Sequence, residues 1–162
     1  MKYAEFPREV KVTQEQVIDI IDHTRQFYCR LSEYYAQLGS TSKKELVRIL
    51  LNYLSEAVMR HEHALAEYEK HASRDISDTW FQFEPEMVTD EWPDPASITP
   101  DMDVDAVVRE VLRLDERLSE RYRKIVNLAH SERIKEVFTN LLETNEKEMR
   151  NLARDFAHMH DW

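Results

Sequence analysis

Four positions put a polar side chain where a packed helix calls for an apolar one. His61 interrupts the run Leu51, Leu54, Val58, His61, Leu65, Tyr68 and Ala72, whose steps of three and four mark the buried seam of a helix. Asp115 interrupts Val104, Val108, Val111, Asp115, Leu118, Tyr122, Ile125 and Ala129 in the same way. Asn145, with Glu146 beside it, interrupts Ile134, Phe138, Leu141, Asn145, Met149, Leu152, Phe156 and Met159. Thr24 sits on the apolar stripe of an earlier helix. An imidazole and two carboxylates are ligands for iron or another divalent metal, so His61, Asp115 and Glu146 are the candidate metal residues. The plainer reading is a buried hydrogen-bond network, with His61 against the Asp115 carboxylate and Asn145 and Glu146 as further partners. That reading is preferred, because a buried histidine paired with a carboxylate is common and needs no cofactor. No side chain is assigned a catalytic role, and no cofactor is expected.

Those residues must be positioned by long helices. Helices are predicted near 14–38, 43–72, 102–129 and 132–158, with no sheet. Thr13 to Gln16 and Ser42 to Glu45 both have the form of a capping box, in which a hydroxyl and a side chain three residues on satisfy free amides of the first turn. Gly39, the only glycine, follows the stripe of the first helix, where a left-handed cap favours a residue without Cβ. Asp103 is the predicted cap of the third helix, and Ser131 of the fourth. Short links make helices 1 and 2 one antiparallel hairpin and helices 3 and 4 another. Residues 73–100 carry four of the five prolines and the cluster Trp80, Phe81 and Phe83. Adjacent antiparallel helices need only about 2 to 8 linking residues, so this segment is predicted to travel the length of the bundle and leave helices 2 and 3 parallel. Its aromatic cluster would pin it to the bundle's side.

The levels of the polar exceptions follow. Asp115 lies 15 residues before His130, and Glu146 lies 15 after Ser131, so both fall at mid-hairpin. His61 and Thr24 fall near the middle of the other hairpin, so all four helices direct a polar residue toward one interior zone.

Composition agrees with an all-α chain forming one domain over 1–162. Charged residues make up 33% and hydrophobic residues 42% of the 162, with a single glycine. The net charge of −10 resides between Asp75 and Asp105, where ten acids stand without a Lys or Arg between Arg74 and Arg109. Nucleic acid is therefore not an expected partner. A basic protein could meet the acidic stretch 75–105, although a solvated connection is the simpler reading. No run approaches the ~18 apolar residues of a membrane span. The lone Cys29 cannot form an internal disulfide, which fits a reducing cytoplasm. Helix 1 has apolar residues to spare, with Tyr28 and Tyr35 at its edge, and a homodimer through that surface is expected. His63, Glu67 and His71, four apart on one flank of helix 2, are read as a solvated face.

Two stretches carry a family resemblance. Arg60-His-Glu-His-Ala-Leu-Ala-Glu-Tyr-Glu69 resembles the second helix of rubrerythrin-like and ferritin proteins, and Asp115-Glu-Arg-Leu-Ser-Glu-Arg-Tyr122 resembles their third. The resemblance implies a ferritin-like bundle of two hairpins joined by one long crossover, with metals held near its middle. The family's di-iron centre takes a glutamate from each of two helices and a Glu-x-x-His from each of the others. This chain has no Glu-x-x-His: Arg60 stands three before His63, Ser119 three after Glu116, and Met149 three after Glu146. The function implied is a non-catalytic binding or accessory protein whose metal site has degenerated. The alternative is a non-haem iron oxidoreductase or metal-handling protein built on His61, Asp115 and Glu146.

Overall fold

The computed structural model describes residues 14–71, 80–82, 98–129 and 132–159. Four long helices dominate: α1 (Val17–Thr41), α2 (Glu45–His71), α3 (Val104–Leu128) and α4 (Glu132–Met159). Each shows one apolar face with period near 3.6, and these faces meet in a single core that includes Ile21, Leu50, Leu51, Val107, Ile125, Ile134 and Phe138. The α1–α2 and α3–α4 pairs pack most closely, giving two antiparallel hairpins. Ser32 and Ser55 clasp the first hairpin reciprocally, each hydroxyl donating to the other's backbone carbonyl at 2.9 Å.

Contacts between the hairpins fix their direction. Tyr34 on α1 donates its hydroxyl to the Ile98 carbonyl at 3.3 Å. Just beyond it, the Thr99 hydroxyl holds the Asp101 carboxyl below its ordinary value, and the charges of Lys43 and Lys44 before α2 act weakly in the same direction. At the other end Tyr68 of α2 senses Arg133 and Glu136 at the start of α4. Helices α2 and α3 therefore start at the same end of the bundle and run parallel, as the long link between them predicts.

Helix starts follow local chemistry in some places and tertiary pairing in others. Asp103 caps α3, with extended backbone and its carboxylate accepting from the Ala106 amide at 2.9 Å. Ser42 offers its hydroxyl to the Lys44 amide at 3.4 Å just before α2. The capping box expected at Thr13 to Gln16 does not form, since Gln14–Gln16 is a strand (β1) paired antiparallel with Trp80–Gln82 (β2). Extended residues cannot also close a helical turn, so α1 begins three residues later, and the expectation of no sheet gives way to this one short ladder.

Gly39 is also not the cap the sequence predicts. It is buried inside α1, which runs on to Thr41. A Cβ there would lie 2.7 Å from Asn52 Oδ1, so the glycine serves close approach of α1 to α2 instead of a left-handed turn. Tyr28 and Tyr35 do not stand at an exposed edge of helix 1 as expected, because both are buried in the core. Among the described residues the large exposed hydrophobics are Leu46, Ile49 and Tyr53, on one stripe of α2. No described helix is long and apolar enough to cross a membrane. Ser131, the side chains of Trp80, Phe81 and Phe83, and most of the acidic stretch 75–105 lie outside the described residues.

Candidate functional site

The middle of the bundle holds a cavity of about 40 Å³ to which all four helices contribute. Helix α1 supplies Tyr28 and Tyr35, α2 supplies His61, α3 supplies Asp115 and Tyr122, and α4 supplies Asn145 and Glu148. His61, Asp115 and Asn145 therefore sit at the mid-bundle level that their spacing predicts. Thr24, although fully buried, turns its hydroxyl back to the Ile20 carbonyl at 2.8 Å and stays within its own helix.

His61 finds its carboxylate on α4 and not on α3. Its Nε2 lies 3.0 and 2.9 Å from the two oxygens of Glu148. The imidazole also rests against the ring of Tyr28, with centroids 5.8 Å apart. The candidate Glu146 is at the right level but on the wrong face. Successive residues turn by about 100° around a helix, so Glu146 points away from Asn145 and pairs with Arg123 at 2.8 Å near the surface. Glu148, on the other side of Asn145, is turned toward α2.

Asn145 behaves as the network reading expects. Its Nδ2 donates to the Asp115 backbone carbonyl at 2.7 Å and to Ser119 Oγ at 2.8 Å, tying α4 to α3 where the apolar seam breaks. The Asp115 side chain faces the cavity, and burial, reinforced by the charge of Glu148, pushes its carboxyl up to about 8. At neutral pH it is mainly a protonated acid, able to donate a hydrogen bond. Across the cavity the hydroxyls of Tyr28 and Tyr122 bond to each other, and burial raises both well above the ordinary phenol value.

A second polar cluster joins α1 to α2. Arg25 donates to Glu62 at 3.0 Å and to Glu69 at 3.4 Å, and Glu62 is only 7% exposed. Burial raises the Glu69 carboxyl, and Asp22 beside it pushes the same way against the opposing pull of Arg25. His63, on the flank read as solvated, is exposed, with Nε2 3.8 Å from Glu62.

The tyrosines and Glu148 are the site residues that sequence reasoning missed. Tyr28, Tyr35 and Tyr122 all stand on the apolar stripes. Their signal is that a buried phenol carries a hydroxyl in need of a partner. Glu148 follows Asn145 by three and precedes Leu152 by four, which is helical spacing toward the interior. Among the described residues, no three His, Cys, Asp or Glu side chains are arranged to hold a metal ion. As placed, His61, Asp115 and Glu146 do not converge on a di-iron centre. Comparison with family models, with curated proteins and with solved structures finds no match to this chain.

Proposed function

We propose that this chain is a ferritin-like helical bundle protein that works as a cytoplasmic binding or accessory protein, its centre a polar hydrogen-bond network in place of a di-metal site. The observation that carries this reading is the engagement of His61 by both oxygens of Glu148. That contact occupies the ring nitrogen and the carboxylate that a metal would need, while Asp115, the remaining acid, favours its protonated form. The parallel course of α2 and α3 supports the ferritin-like part of the proposal. A role exercised through the surface is supported by the apolar stripe Leu46, Ile49 and Tyr53 on α2.

The second reading, a non-haem iron oxidoreductase or metal-handling protein, is favoured by a different observation. His61, Asp115 and Glu148 line one cavity, and loss of the Asp115 proton with opening of the His61–Glu148 contact would free three ligands for a divalent ion. The experiment is anaerobic loading of untagged protein with Fe(II), followed by oxygen and a search for oxo-bridged ferric absorption. The network reading expects neither stoichiometric iron nor that absorption. Stoichiometric iron, lost in His61→Ala and Asp115→Asn variants, would overturn the network reading in favour of metal handling, and the ferric absorption appearing with oxygen would favour the oxidoreductase.

A further inference from the structure

We propose that the mid-bundle cavity is a hydrated site, holding about three water molecules that join Tyr35 and Asp115 to the His61–Glu148 pair. Tyr35 is 1% exposed and lines the cavity, yet its hydroxyl has no hydrogen-bond partner in the protein. An unpaired hydroxyl in such a place costs enough that native structures seldom tolerate one without solvent.

The cavity is large enough to supply that partner. A water needs roughly 10 to 15 Å³ measured by the positions its centre can take, against the ~40 Å³ found here. Each water also needs two or more polar neighbours, and the lining provides them. The Tyr28 and Tyr122 hydroxyls carry two protons but use only one between them, leaving the other to be accepted elsewhere. The Asp115 carboxyl can both donate and accept in its protonated form. His61 and Glu148, both partly exposed, complete the polar wall. This inference rests on the proposed network, and it names solvent as the member that completes the bonding of Tyr35.

A crystal structure of the full chain, with a parallel crystal pressurised under xenon, tests it together with thermal melting of Tyr35→Phe. The expected result is ordered water within hydrogen-bond distance of Tyr35 Oη and the Asp115 carboxyl, no xenon in the cavity, and a lower melting temperature for Tyr35→Phe. Xenon density at the bundle centre would overturn the proposal, because xenon enters apolar, dry cavities. So would an unchanged or higher melting temperature, since deleting an orphan hydroxyl from a dry site removes a cost. A dry cavity would leave the proposed function standing. An anomalous metal peak there would overturn both.

Discussion

His61 and Glu148, 87 residues apart, meet with one ring nitrogen placed between both carboxylate oxygens. The contact joins α2 to α4 at the centre of the bundle, but Glu148 keeps 39% of its side chain exposed. Water can therefore compensate Glu148 if the imidazole is removed. His61→Leu should keep the fold and lie within about 1 kcal/mol of the parent in urea denaturation. His61→Asp should lose about 2 to 3 kcal/mol, because it sets a carboxylate against Glu148 with Asp115 close by. Equal losses for the two variants would show that packing and not charge governs this position.

Asp115 should make stability fall as pH rises. Its unfolded value is near 3.9 and its folded value about 8, so the native state holds the proton more tightly. The contribution is fully present below about pH 4 and is lost as pH climbs through the folded value, at about 1.4 kcal/mol per unit of difference. Asp115→Asn, which mimics the protonated acid, should match the parent near pH 4 and exceed its stability by a few kcal/mol near pH 8. Urea midpoints measured across that range check the sign, and parallel curves for the two proteins would contradict it.

Gly39→Ala distinguishes a helical glycine from a left-handed cap. Within a helix, alanine is favoured over glycine by about 1 kcal/mol. The atom in its way, Asn52 Oδ1 at 2.7 Å, ends an exposed side chain that can turn aside. Leu51 Cβ at 3.4 Å is in ordinary contact. The variant should be equal to the parent or more stable by up to about 1 kcal/mol, whereas a glycine at positive φ would lose about that much. Thermal melting of the single variant gives the answer.

Arg25 holds two carboxylates of α2, one of them nearly buried. Arg25→Met keeps much of the apolar stem but leaves Glu62 without its cation, and should cost about 1 to 2 kcal/mol. Adding Glu62→Gln should recover part of the loss. A double-mutant cycle with no coupling between the two positions would mean that the pair contributes little.

The sequence alone specifies four helices, their pairing into two hairpins and the level of the polar zone. Apolar residues at steps of three and four define a buried face whatever that face meets, and link lengths limit which helices can be neighbours. It thereby placed His61, Asp115 and Asn145 correctly at mid-bundle. Which groups touch depends on how the helices pack against one another. Glu146 and Glu148 differ by only two positions, yet helical rotation sends one to Arg123 and the other to His61. The same limit explains Gln14–Gln16, whose local pattern favours a helix start but whose backbone pairs with a strand 64 or more residues away. It explains Gly39 as well, where a residue suited to a cap is used for close approach to Asn52. Periodicity records whether a side chain faces inward, whereas a hydrogen bond needs its partner within about 3 Å, a distance set only by the packing of all four helices.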